Sequence, residues 1–260
     1  MRPVHFAGSF IVSFCFFALA LALALAVHSA EPDEFDLKRY STPHQGEAKT
    51  VLDGFIDKTN LSERELSQRG DAYFFLGRFK ESASDYNAMS ELNPSLEDSH
   101  WRRGIAWYYA GDFKNAAGQF ERYHSFDNVD RENGIWRYFS QVRAYGDKRA
   151  QEDLLKYEKD DRAPFPLLYQ FFAGKVTSEE ILNNINKADI SDEERSKQLF
   201  YAELYIGLNH AVHEEPKQAI PHLQQAVANK WGPISGYGPH YMWQVGRVQL
   251  ERLMTEANAE

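Results

Sequence analysis

The chain has 260 residues, 43% of them hydrophobic and 26% charged, and its 29 Lys and Arg against 38 Asp and Glu give a formal charge of −9 at pH 7. An acidic chain without a basic stripe repels phosphate backbones, which argues against nucleic acid as a partner. A single cysteine, Cys15, excludes a disulfide framework within the chain.

The N-terminus reads as an export signal. Arg2 precedes an uncharged apolar run from Phe6 to Val27, which ends in Ser29 and Ala30 before the polar Glu31-Pro32-Asp33-Glu34. At 22 residues the run exceeds the roughly 7–15 of a signal core and approaches the roughly 20 that span a bilayer, so cleavage after Ala30 competes with an uncleaved N-terminal anchor. His28 lies three before that cut, whereas a cut after Ser29 puts Val27 there. Cys15 sits mid-run with apolar residues continuing beyond it, a poor place for a lipid-modified cysteine. Cleavage removes only Arg2 among the charges and leaves a cysteine-free chain of formal charge −10. The expected location is the periplasm or the exterior, with membrane attachment only if the N-terminal segment stays.

From Glu31 to Gly46 the sequence is charged and carries Pro32 and Pro43, and it reads as a flexible arm. Residues 47–260 then read as one all-α domain, with helical periodicity throughout and no β-branched alternation.

Within that domain the chain repeats itself. Laying Leu61–Pro94 over Ser95–Asn128 at an offset of 34 places Gly70 on Gly104, Tyr73 on Trp107, Gly77 on Gly111, Phe79 on Phe113, Ala83 on Ala117, Tyr86 on Phe120 and Leu92 on Phe126. Glycine inside a helix costs about 1 kcal/mol relative to alanine, so Gly70 and Gly104 predict a close approach of the partner helix. Gly77 and Gly111 end the first helix of each pair, and Phe79 or Phe113 plugs the turn that follows. Asn93-Pro94 stops the second helix.

A degenerate third unit opens near Arg131 with Ile135, Trp136, Phe139 and Val142. It turns at Tyr145-Gly146-Asp147, continues through Ala150 and Leu154, and closes at Pro164 and Pro166. Leu167 to Ala173 predicts a short apolar helix. Thr177 to Glu180 predicts a capping box and Ser191 to Glu194 a similar start. Tyr201–Lys230 returns to the repeat frame through Gly207, the Glu214-Glu215-Pro216 turn, Ala219, Leu223 and Ala226. A last helix from about His240 to Ala257, apolar on one side, predicts a C-terminal cap with a wet outer face.

Thirty-four residues is the period of the tetratricopeptide repeat (TPR). On Gly104, Trp107, Gly111-Asp112-Phe113, Ala117 and Phe120, followed by Gly207, Ala219, Leu223 and Ala226, the chain resembles a TPR protein. Two good repeats, a degenerate middle and one late repeat on an exported chain resemble the NlpI type of exported bacterial TPR protein. The resemblance implies a right-handed superhelix of helix pairs outside the cytoplasm, acting as a non-catalytic adaptor or scaffold. Such an adaptor brings cell-wall hydrolases or a processing protease to their substrates. The chain departs from that family in lacking a lipidation cysteine at the end of its apolar run.

Catalytic constellations are sparse. His210 and His213, with Glu214 beside them, could serve a metal-dependent hydrolase, but the repeat frame puts His210 where Tyr73 and Trp107 pack. His222 and His240 stand singly. The acid pairs Glu179-Glu180 and Glu193-Glu194 fall at helix starts, where carboxylates favour the positive end of the helix dipole. No cofactor and no metal site is expected, and no enzymatic activity.

In a stacked array the first helix of each pair lines the concave side. The inward places hold Arg64, Phe74, Trp101, Ile105, Tyr108 and Phe139, an aromatic and aliphatic groove with a charged rim suited to a protein or peptide segment. The competing reading is that these side chains only pack the array, or that the helix near Leu167–Phe172 fills the groove. The expected role is partner binding in cell-envelope maintenance, with a homodimer left open. The alternatives are a membrane-tethered assembly factor and the metal-dependent hydrolase.

Overall fold

The computed structural model describes residues 35–159 and 161–257, which are all-helical with no strand among them. The apolar N-terminal run, its cleavage sites and Cys15 lie outside the described residues.

The first helix among the described residues, α1 (Leu37–Asp53), forms where the sequence predicts a flexible arm. Pro43 and Gly46 read as breakers, but tertiary contacts override the weak local propensity. Ser41 and Ala48 are buried, the His44 and Trp243 rings meet edge-on with centroids 4.6 Å apart, and Gln45 Nε2 donates to Glu251 Oε2 at 3.3 Å.

Two helix hairpins follow: α2 (Glu63–Phe75) with α3 (Phe79–Leu92), and α4 (Trp101–Tyr109) with α5 (Phe113–Phe126). Ser62 and Glu65 form a full capping box at the start of α2. A 3₁₀ turn at Pro94–Leu96 connects the hairpins. Their contacts recur with the 34-residue offset. A Cβ added to Gly70 would lie 2.7 Å from Tyr86 Cε1, and one added to Gly104 would lie 2.7 Å from Phe120 Cζ. Arg69 donates to Asp85 and stacks on Tyr73; Arg103 donates to Gln119 and stacks on Trp107. Phe79 packs on Phe74 as Phe113 packs on Tyr108. The turn glycines Gly77 and Gly111 are left-handed, with φ of +75° and +85°.

The third unit begins with α6 (Arg131–Tyr145) but its second helix is cut short. The helix α7 spans only Asp147–Glu152, so Leu154, expected inside it, lies beyond its end. The segment after it is held by side chains: Tyr169 Oη donates to the Leu155 carbonyl at 2.8 Å, and Tyr157 Oη to the Asp130 carbonyl at 3.3 Å. Helices α8 (Phe165–Phe172) and α9 (Ser178–Lys187) follow, the latter with the predicted Thr177–Glu180 capping box.

The last hairpin pairs α10 (Asp192–Val212), N-capped by Ser191, with α11 (Pro216–Ala228). It repeats the glycine contact, since a Cβ at Gly207 would lie 2.8 Å from Leu223 Cγ. Its turn residue Glu214 is also left-handed, with φ of +62°.

The final helix, α12 (Tyr237–Ala257), is not the half-wet cap that its sequence predicts. Tyr241 to Val248 are buried without interruption, and α12 packs on α1, α2, α10 and α11. Tyr241 meets the rings of Phe74 and Trp101 at 5.1 and 5.0 Å. Trp243 Nε1 donates to the Val227 carbonyl at 3.0 Å. Tyr237 Oη donates to Asp71 Oδ2 at 2.6 Å. Arg247, with no exposed side-chain surface, donates to the Phe75 carbonyl at 2.6 Å, to Gln244 Oε1 at 2.7 Å and to Glu251. Such satisfaction is what permits a guanidinium in a core. The helix thus ties the first hairpin to the last and covers the face of α2 and α4 that the sequence assigns to the groove.

Candidate binding site

The six residues expected to line one groove are separated by α12. Phe74 is fully buried beneath it, between Phe79, Tyr109 and Tyr241. Arg64 is exposed and lies with Trp101, Arg102 and Tyr237 on a shallow cleft. Tyr108 and Phe139 line a cavity of about 730 Å³ between the α4–α5 turn, α6, the α10–α11 turn and the C-terminal end of α12. Trp101 and Ile105 line a second cavity, of about 380 Å³, which shares Trp136 with the first. The continuous aromatic groove expected from the repeat frame is therefore not present. Its contents are a core contact and three separate recesses. The helix that fills it is α12, whereas α8, the predicted alternative, packs instead on α6 and α9.

Charged groups rim the larger cavity. Arg143 lies over the Phe113 ring and pairs with Glu214 at 3.2 Å, linking α6 to the α10–α11 turn. Arg252 stands over Phe79 and Tyr109 at 5.7 Å from each. Burial pushes the Tyr108 hydroxyl up to about 12.

The smaller cavity has the more unusual chemistry. Its walls are Trp101, Ile105, Trp136, Tyr201, Trp231 and Met242, drawn from α4, α6, α10, the loop before α12 and α12 itself. Trp101, Tyr123, Lys197, Trp231 and Pro239 remain half-buried, so the space opens to solvent. At its floor, Asp130 caps α6 by accepting the Glu132 N–H at 3.0 Å. Glu132 Oε1 accepts from the Tyr205 hydroxyl, which in turn accepts from Trp136 Nε1 at 3.2 Å, and Glu132 Oε2 accepts from Arg162. Arg162 also pairs with Asp161 at 3.2 Å and Asp130 at 3.5 Å. Burial pushes the Glu132 carboxyl up to about 7, with the neighbouring Asp130 adding to the rise while Arg162 and the Tyr205 hydroxyl oppose it. Asp130 is raised for the same first reason, burial.

Sequence reading missed this floor. Asp130 and Glu132 look like ordinary helix-start acids, and Arg162 sits in a charged segment without periodicity. No local signal announces that the irregular chain after α7 returns Arg162 to the start of α6.

His210 and His213 do not converge. His210 pairs with Glu215 at 2.7 Å and stacks on His222, while His213 turns to the Asn209 carbonyl and to Asp147. Among the described residues no group of three or more His, Cys, Asp or Glu side chains is placed to hold a metal ion. Nor is any helix there long and apolar enough to cross a membrane.

No family model matches this chain.

Proposed function

We propose that this protein is an exported TPR-like adaptor of the NlpI type, non-catalytic, that holds a segment of a partner protein in the cavities beside α12. The helix pairs supply a rigid frame, and the partner reads its recesses in place of an open concave groove. What supports this most is the smaller cavity, where half-exposed Trp101 and Trp231 stand beside a buried charged floor. Solvent-accessible aromatics around a desolvated polar centre are the composition of binding hot spots. The 34-residue recurrence of Gly70/Tyr86 and Gly104/Phe120 contacts supports the TPR reading, with a superhelix closed on its own C-terminal helix.

Photo-crosslinking from position 123, on the rim of the smaller cavity, in intact cells tests the proposal. A discrete partner captured from position 123, and lost when Trp231→Ala is added, is the expected outcome. Partners recovered unchanged by Trp101→Ala and Tyr108→Ala variants in envelope pull-downs count against both cavities. The membrane-tethered assembly factor differs only in retaining the apolar N-terminus, and N-terminal sequencing of the native protein separates the two.

A further inference from the structure

The floor of the smaller cavity holds more negative charge than its own cations neutralise. Asp130, Glu132 and Asp161 all pair with the guanidinium of Arg162. The other cation at the wall, Lys197 on α10, is engaged 3.0 Å from Glu194 of the same helix. Arg131, at the start of α6, lies over the Tyr157 ring at 5.0 Å and donates its backbone N–H to Asp161 at 3.0 Å; with its charge counted, three carboxylates still face two guanidiniums. The remaining titratable neighbours are a further carboxylate, Asp127, near Asp130, and the neutral hydroxyls of Tyr123, Tyr157, Tyr201 and Tyr205. Glu132 keeps 14% of its side chain accessible, and each of its oxygens, with one hydrogen bond, has room to accept another. Around it stand the rings of Trp101, Tyr201 and Trp231. Aromatic faces attract cations, and more strongly where water is excluded.

An anion would meet the excess carboxylates, and an uncharged apolar group would leave them uncompensated. A cation with hydrogen-bond donors answers both the charge and the walls. We propose that this cavity binds a primary ammonium group, seated among the rings of Trp101, Tyr201 and Trp231 with Glu132 as its counter-charge. The inference does not depend on the adaptor reading, because a free alkylamine and the lysine side chain of a partner carry the same group.

The probe is n-butylammonium, with 1-butanol as its uncharged counterpart of similar shape, titrated by calorimetry and tryptophan fluorescence. Saturable binding of the ammonium at least tenfold tighter than of the alcohol is expected. Because Glu132 ionises near pH 7 while the probe stays charged, affinity should rise about tenfold from pH 6 to pH 8. Glu132→Gln should weaken binding about tenfold and abolish that pH dependence. If this variant does not fold, the comparisons of ammonium with alcohol and of pH 6 with pH 8 on the natural protein decide alone. A lysine flanked by acetyl and methylamide caps, bound as well as n-butylammonium, would identify a partner's side chain as the source. Binding of the free amine alone would identify a small-molecule source. Equal binding of alcohol and ammonium, or no saturation by either amine at pH 8, overturns the proposal.

Discussion

Glu132 and His100 make opposite contributions to stability as pH changes. The carboxyl of Glu132 is raised in the fold to about 7, so its ionisation costs stability as pH rises from its ordinary value of 4.5 through 7. Glu132→Gln removes that cost. Relative to the natural protein, the variant should therefore gain on the order of 2 kcal/mol between pH 5 and pH 8 in urea unfolding. His100 behaves in reverse: burial, with Arg102 and Arg103 nearby, lowers its imidazole to about 3. Stability tied to the neutral ring is complete above pH 6.5 and falls away as pH drops towards 3. Its Nδ1 caps α4 by accepting the Arg103 N–H at 3.3 Å, so His100→Asn keeps an acceptor while removing the titration. Acid unfolding of that variant should begin at lower pH than in the natural protein, as followed by circular dichroism.

The helix hairpins separate two uses of glycine. At Gly104 a methyl group would strike the Phe120 ring, and Gly104→Ala should cost about 1–3 kcal/mol, partly restored by Phe120→Leu. At the turn of the last hairpin Glu214 holds φ of +62° where Gly77 and Gly111 stand in the earlier ones. Glu214→Gly should relieve about 1 kcal/mol of backbone cost, since the exposed pair with Arg143 contributes little. Thermal melts of the three variants check these signs. Both uses were legible in the sequence, because each glycine recurs at the 34-residue offset, Gly70 and Gly104 against the facing ring and Gly77 and Gly111 at the left-handed turn. The capping boxes at Thr177 and the start at Ser191 were legible for the same local reason. Helix α1 was not: Pro43 and Gly46 argue against it, and its contacts with Trp243 and Glu251 come from the far end of the chain. The shortened α7 was missed because side chains hold the segment after it, the Tyr169 hydroxyl on the Leu155 carbonyl and the Tyr157 hydroxyl on the Asp130 carbonyl at the start of α6.

For the molecule as a whole, α12 decides what is available to a partner. Sequence periodicity predicts one apolar side for this helix, and Arg247 is one of its charged residues. In the fold Arg247 is buried because the Phe75 carbonyl, Gln244 and Glu251 take its donors, a long-range arrangement that no local pattern carries. Arg247→Ala takes the donor from the Phe75 carbonyl and from buried Gln244, leaves Glu251 with Gln45 alone, and should cost about 3–5 kcal/mol in denaturant titration. The same burial explains why the candidate residues divided. Positions expected to share a groove became a core contact at Phe74 and separate recesses at Arg64, Trp101 and Tyr108, and the Glu132–Arg162 floor appeared where no motif marked it.

Native-state hydrogen exchange of the Trp243 to Leu250 amides reports directly whether α12 is a permanent part of the interior. Protection equal to that of the core of α10 is expected, with both segments opening only in global unfolding. Exchange of α12 many-fold faster than α10 would mean that the helix undocks, that the concave face of α2 and α4 opens to partners, and that the cavities beside α12 are not the binding surface.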